Sequence, residues 1–340
     1  LLCRDVVACG DSLPSGFARS LRYVCLDRRP ARGLETAVRE NGPATRVSRV
    51  AASGLPFRRI MGCFVSNEYL DSFPVHQVTM RQGTLREVYV TVEGEELATR
   101  SGDLSTPELA ARLEGLGIEL AEGQTAEIGL GLEPWVQEVA AALEAGFILT
   151  VDYGRPAPEL YSPERRYRGT LTTYYRHAQT DAPFRHVGQQ DMTAQVDFTT
   201  VIEAGRSAGL EPLGFAPQGQ FLRHLGSGPM QRRLGSLGLS QNALQANRAG
   251  MVDLGRPGGL GDFKVLTQSK GVDSPELWGF SPSAEAAALA DGLPVPLLTP
   301  QHLSLLEGRY AVPEFQPEFQ FEGYWPFGGG PEGERESGQG

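Results

Sequence analysis

The sequence predicts an α/β fold, a largely parallel sheet with an inserted hairpin and a long loop or lobe. One observation is a set of three short apolar runs: Arg22-Tyr23-Val24-Cys25-Leu26, Ile60-Met61-Gly62-Cys63-Phe64-Val65 and Phe147-Ile148-Leu149-Thr150-Val151. Continuous rather than alternating apolarity marks strands covered on both faces, as in a parallel sheet. The other is where these runs stop. The first ends in Asp27, the second in Ser66-Asn67-Glu68 and the third in Asp152-Tyr153-Gly154. In an open α/β sheet the carboxyl ends of the strands line the ligand crevice. An acid after a strand is also a common turn residue or helix N-cap. Three together predict one crevice with an acidic rim.

The remaining elements follow in chain order. Residues 1–8 read as the end of a helix, with Leu2, Val6 and Cys9 sharing a face. Residues 30–40 read as a helix opened by Pro30 and closed near Asn41-Gly42. A weak strand is expected at 45–50 and a short helix at 69–73, stopped by Pro74. Residues 75–92 alternate around Gln82-Gly83, which predicts a hairpin. Thr106-Pro107-Glu108 opens a short helix. Glu133-Pro134 opens a better one, whose apolar face holds Trp135, Val136, Val139, Ala140 and Leu143. Gly146 is expected to end it, with the Phe147 strand starting at once, the join typical of a parallel α/β unit.

Residues 152–195 read as a long, polar, irregular loop, and a loop of that length inside a compact domain usually serves function. Residues 198–208 are helical, 209–215 strand-like, 221–225 helical, and 263–266 a last strand. The pattern weakens beyond Gln268. The expected organisation is a main unit over 1–267 with insertions at 75–130 and 153–197, an extension over 268–326, and a disordered tail over 327–340, where Gly, Glu and Ser dominate.

At 340 residues the chain can bury a sizeable core. A net charge of -10 argues against a nucleic-acid binder and suits a basic partner or cationic ligand. Lys264 and Lys270 are the only lysines, which reads as a coding bias. The four cysteines, Cys3, Cys9, Cys25 and Cys63, match no metal pair and no disulfide framework. Cys25 and Cys63 lie in strand patterns and are expected to be buried and reduced, in a cytoplasmic protein. No run is apolar and long enough for a membrane span. The first residues show no leader pattern and do not include Met, so a truncated start is expected.

The stretch Ser66-Asn67-Glu68-Tyr69-Leu70-Asp71-Ser72-Phe73-Pro74-Val75 resembles the NELLDALPV signature of the MidA family of S-adenosylmethionine-dependent methyltransferases. Leu149-Thr150-Val151-Asp152-Tyr153-Gly154, Gly169-Thr170-Leu171, Tyr175-Arg176-His177, the run from Asp191 to Phe198, and Phe263-Lys264-Val265-Leu266 match in family order, over about residues 20–267. The resemblance implies a Rossmann-like class I methyltransferase sheet, S-adenosyl-L-methionine as cofactor, and methylation of an arginine on a protein partner, as in a mitochondrial complex I assembly factor of the family. It also implies a glycine-rich cofactor loop before Leu1, absent here, which fits truncation. Gln195 stands where the family usually has His.

Against that resemblance, the candidate residues take definite roles. Asp27 is expected to hold the cofactor ribose, the alternative being an N-cap for the helix at residue 30. Glu68 is expected to engage an acceptor guanidinium, which is protonated and needs a carboxylate to orient it, or else to cap a helix. Asn67 would bind cofactor or substrate backbone. Asp71 is a second acid for the guanidinium or a helix-fixing residue. His177 would lie near the acceptor, while a metal held by His177, His186 and Asp191 fits no ligand spacing. Asp152 and His76 read as structural. Two rivals remain open at this point: a non-catalytic assembly protein on a methyltransferase scaffold, and a dehydrogenase using the acid after the second strand for its ribose.

Overall fold

The computed structural model describes residues 2–13, 15–27, 46–175 and 178–298. The expected helix at 30–40, the expected tail at 327–340 and His177 lie outside the described residues. The chain opens with α1 (Leu2–Gly10) and α2 (Ser15–Ser20), followed by parallel strands β1 (Tyr23–Asp27) and β2 (Val47–Ala51). Strand β3 (Ile60–Asn67) carries the second apolar run.

An antiparallel lobe follows. Its strands are β4 (His76–Arg81), β5 (Thr84–Glu93), β6 (Glu96–Gly102) and, after α3 (Glu108–Gly115), β7 (Thr125–Ile128), in the order β6-β5-β4-β7. The predicted hairpin is there: Gln82 and Gly83 both have positive φ, at 52° and 69°. That is the conformation a tight two-residue hairpin loop demands. Against the lobe sheet pack Leu109, Leu113 and Leu120, joined by Leu160 and Tyr161 from the later insertion.

The main sheet is completed further on. Helix α4 (Leu132–Ala142) runs directly into β8 (Leu143–Asp152), so the strand begins before Gly146 rather than after it. Gly146 instead sits inside β8, opposite Gly62 of β3, and a Cβ there would strike the Gly62 carbonyl. The two backbones approach so closely that only glycine fits. The β3–β8 pair is parallel.

Residues 152–195 are not an irregular loop. They hold β9 (Gly154–Arg155), α5 (Ala157–Leu160), α6 (Pro163–Arg166), β10 (Thr172–Tyr175), β11 (Ala178–Thr180) and β12 (Asp191–Thr193). Then come β13 (Val196–Asp197) and α7 (Phe198–Ser207), whose N-cap Asp197 accepts from Thr199 and Thr200. Strand β14 (Glu211–Pro217), helices α8 (Gln218–His224), α9 (Ser227–Arg233) and α10 (Gln241–Gly255), strand β15 (Lys264–Lys270) and helix α11 (Ala284–Gly292) close the described chain.

The main sheet has the order β14-β15-β8-β3, with β15 antiparallel to both its neighbours. Its core lies between β8, β15, α4 and α7, where Val136, Val139, Ile148, Phe198, Val201 and Leu266 are buried together. Each such side chain contributes about 1.5–3 kcal/mol by leaving water.

Strand β3 pairs only with β8, and its other edge is unpaired among the described residues. Along that strand Met61 is 78% exposed and Cys63 is exposed too, while Cys25 on β1 is half-buried. The expectation that Cys25 and Cys63 are core residues is therefore wrong. Among the described residues their strands lack a neighbour on one side, and apolar content does not bury a side chain without one. The thiol of Cys63 still acts on the phenol of Tyr23 in β1, so these two residues lie near each other.

His76 and Glu87 stabilise the lobe. The His76 Nδ1 lies 2.7 Å from Glu87 Oε1, and Glu87 Oε2 accepts from Ser105 N–H at 2.6 Å and Tyr89 O–H at 3.0 Å. Burial alone would raise this carboxyl, but these partners together bring its pKa down to about 2. A depressed carboxyl adds stability above its unfolded pKa of 4.5 and loses it as pH falls toward 2. Glu87→Gln should cost about 2 kcal/mol at pH 7. Urea unfolding at stepwise lower pH should show that deficit shrinking below pH 4.5; a deficit constant down to pH 3 would contradict this account.

Candidate active site

The site forms where β3 and β8 end side by side. Ser66 pairs with Thr150 and Asn67 with Val151. Glu68 N–H then donates to the Val151 carbonyl at 2.9 Å, and the backbone of Glu68 turns left-handed, with φ 46°. For a non-glycine residue that conformation costs on the order of 1–3 kcal/mol and persists only where neighbours enforce it. The enforcing group is Asp152. Its Oδ2 accepts from the N–H groups of Tyr69 at 3.1 Å and Leu70 at 2.9 Å, and its Oδ1 accepts from Tyr153 N–H at 2.9 Å.

The expected helix at 69–73 is absent as a result. The segment makes a single turn, closed by Phe73 N–H to Leu70 carbonyl at 3.1 Å and by Ser72 Oγ to Tyr69 carbonyl at 2.8 Å. The donors that would open a helix are held from the side by a strand end. Tyr69, Phe73 and Trp135 pack ring against ring beneath the turn, Tyr69 and Phe73 edge-on at 5.1 Å.

The turn brings three acids together. Asp152 is fully buried and Asp71 is 6% exposed, whereas Glu68 is exposed. Burial, and then the charge of Asp71, pushes the Asp152 carboxyl up to about 7. Burial also raises Asp71, and Glu68 raises it further. The phenol of Tyr174, on β10, is raised by burial and then by Asp71 and Glu68, so it faces both acids. The Tyr153 hydroxyl lies beside Asp71 and Thr193 and interacts with both, though neither contact has full hydrogen-bond geometry. Asp71 Oδ1, Tyr153 O–H, Thr193 Oγ1, Ser66 Oγ and Thr150 Oγ1 are all buried without a partner. Buried polar atoms are nearly always paired, so a concentration of orphans makes this the candidate ligand site.

The other candidate residues fall as follows. Asn67 Nδ2 donates to Glu68 Oε1 at 3.2 Å. Asp27 is exposed at the end of β1, its carbonyl accepting from Ala52 N–H at 3.0 Å. His76 is held by Glu87 in the lobe and has a structural partner there. His186 stacks on Tyr175 at 3.8 Å. Gln195 donates its backbone N–H to Thr170 Oγ1, and its own buried Oε1 has no partner. It lines a cavity of about 20 Å³ with Phe73, Glu127 and Asp197. Among the described residues no group of three or more His, Cys, Asp or Glu is placed to hold a metal, and no helix is long and apolar enough to cross a membrane.

Sequence reading missed Tyr153 and Thr193, although Tyr153 directly follows the Asp152 strand end; Tyr174 is one of the loop tyrosines that the sequence leaves open between packing over the substrate and stapling the loop.

A mixed sheet whose parallel pair, β3 and β8, gathers acids at its strand ends is an α/β arrangement that suits a ligand there. Residues 2–216 match the model of a family described as "Putative S-adenosyl-L-methionine-dependent methyltransferase", and the chain belongs to this family, which includes the MidA methyltransferases. It is thus a methyltransferase that uses S-adenosyl-L-methionine. Two crystal structures from Burkholderia thailandensis are similar. One, titled an uncharacterized superfamily protein, has 32% identity and TM-score 0.67, over 76% of this chain and 69% of that one. The other is titled a superfamily member and "likely methyl transferase" bound to S-adenosyl-homocysteine. It has 30% identity and TM-score 0.69, over 82% of this chain and 70% of that one. A search of curated proteins returned no match.

The raised Asp152 carboxyl has a testable consequence. Between its unfolded pKa of 3.8 and its folded value of about 7, the folded protein keeps a proton that the unfolded chain releases. Stability therefore falls as pH rises through that window. Asp152→Asn should flatten the fall, measured by thermal melting from pH 4 to pH 8, although it lowers stability overall by loosening the turn. An unchanged slope would show that Asp152 titrates as an ordinary carboxylate.

Proposed function

We propose that this chain methylates an arginine side chain of a protein partner. The observation that carries the proposal is Asp71: a buried carboxylate with an unpartnered oxygen, next to Glu68 and faced by Tyr174. A buried acid in that state is costly unless a cation arrives to pair with it. A guanidinium presents donors along two edges and forks against carboxylates.

The residues present also fit the cofactor. Asp27 ends β1 with an exposed carboxylate able to accept from ribose hydroxyls, and Asn67 ends β3. Acids at the strand ends suit a cationic sulfonium. When bound, S-adenosyl-L-methionine supplies an electrophilic methyl group on that sulfonium. The chain's own residues do the rest. Glu68 and Asp71 grip the guanidinium, turn one of its nitrogens outward, and take up the proton that this nitrogen sheds when it gains a methyl. The lobe over 75–130 and the insertion over 153–197 would form the acceptor side of a unit spanning 1–267, with 268–326 as an extension. The protein would work in the cytoplasm, where its four cysteines, free in the structure, stay reduced.

Glu68→Gln should lower turnover on arginine peptides by on the order of a hundredfold, a loss typical of removing one transition-state contact. Cofactor affinity, measured by calorimetric titration, should stay nearly unchanged. Equal loss of both would make Glu68 a cofactor ligand or a structural residue. The acceptor itself is tested with labelled methyl groups on matched peptides: arginine peptides should be labelled and lysine peptides not. Labelling of lysine alone would end the arginine reading.

A further inference from the structure

The antiparallel lobe carries an arm that its own sheet does not support. Strand β4 pairs with β5 only over Val78–Glu87 to Arg81–Thr84. Beyond Glu87, β5 has, among the described residues, only β6 beside it, in the register Val88–Ser101, Val90–Thr99 and Val92–Leu97. Val88, Val90 and Val92 are strong strand formers and keep this ribbon extended. Strand β6 is an edge of its sheet. An exposed edge is a template for pairing with another chain.

The direction of the backbone groups follows from the turn. Glu93 and Glu96 flank a two-residue loop and form a pair. In antiparallel ribbons of this kind the hydrogen-bonded pairs alternate from there. Glu96, Ala98 and Arg100 therefore spend their backbone groups on β5, and Leu97, Thr99 and Ser101 turn theirs to the open side.

The sequence of this edge is self-complementary about Ala98. Gly94 stands opposite in rank to Gly102, Glu96 to Arg100, and Leu97 to Thr99. Neither Glu96 nor Arg100 has an ion pair among the described residues. Both are exposed.

We propose that β6 pairs antiparallel with β6 of a second copy of this chain, across a two-fold axis through Ala98. Each Leu97 then exchanges backbone hydrogen bonds with the other copy's Thr99, and each Glu96 faces the other copy's Arg100. The small Ala98 side chain sits where the two strands come closest. Isologous pairing of this kind uses the same patch on both copies, which is the usual symmetry of a dimer. An extended peptide from another protein would use the edge hydrogen bonds equally well, but nothing would then require Glu96 and Arg100 to be placed symmetrically about Ala98.

Sedimentation equilibrium on the chain should find a dimer at micromolar concentration. Glu96→Arg and Arg100→Glu should each weaken it by about tenfold or more, since like charges then face each other twice. The variant carrying both changes restores opposite charges across the axis and should recover the wild-type dissociation constant. Circular dichroism checks that each variant is folded. Under mild oxidation Ala98→Cys should cross-link two copies, because Cα atoms in a non-hydrogen-bonded pair lie about 4.5 Å apart, within disulfide reach. Thr99→Cys should not, beyond the wild-type background. A monomer at all concentrations, a dimer indifferent to both single reversals, or a double reversal that fails to recover would each overturn the proposal.

Discussion

The site depends on one carboxylate. Asp152 closes β8 and reaches across to the chain leaving β3, taking two of its N–H groups on one oxygen and its own neighbour's on the other. Those bonds hold Glu68 in a left-handed conformation and set Asp71 inward. Without them the segment would be free to wind into the helix that its local sequence favours, and Glu68 and Asp71 would swing to one face of it. The cost of burying Asp152 is seen in its raised pKa. Three N–H donors are not enough to offset burial when another acid stands close by. The protein accepts a buried acid with a raised pKa in order to keep an unfavourable backbone turn, and both costs fall at the same place. Natural structures retain such local conflict chiefly at functional sites.

The sheet has a second point of tension, away from the acids. Among the described residues, strands β1 and β3 each pair on a single side. Their apolar residues, Val24 and Leu26 on β1 and Met61 and Val65 on β3, are substantially exposed for strands of such composition. Tyr23 of β1 and Cys63 of β3 lie near each other, although no ladder joins their strands among the described residues. Asp27 owes its position to the parallel pairing with β2, and Glu68 to the pairing of β3 with β8.

Much of this was legible in the chain. Continuous apolar runs identified β1, β3 and β8, and Gln82-Gly83 identified the β4–β5 hairpin, because each is a local pattern with a local cause. The turn at 69–73 was not legible, since the group that forbids the helix lies some 82 residues away in sequence. The insertion after Asp152 read as irregular because its strands are only two to four residues long, too short to show an alternating pattern. Helix α10 went unseen for a different reason: over 15 residues it fully buries only Asn247, so it has no apolar stripe to display. The MidA resemblance pointed to these acids but could not say which of them would be buried. Asp71 rather than Glu68 proves to be the enclosed one, and that distinction comes from tertiary packing.

Burial also separates the tasks of the three acids in the reading proposed above. Asp152 has both oxygens committed to the backbone, so its role is to hold the turn. Glu68, exposed and linked only to Asn67 and the strand end, is free to move with a ligand. Asp71 is fixed and keeps one oxygen unspent. A single positive point charge could satisfy either free acid, but not both with directed hydrogen bonds from one planar group. A guanidinium has two donor-bearing edges and a charge spread over both. One fixed and one mobile carboxylate at the mouth of the same turn match that shape, and their shared repulsion is relieved only when both edges are engaged.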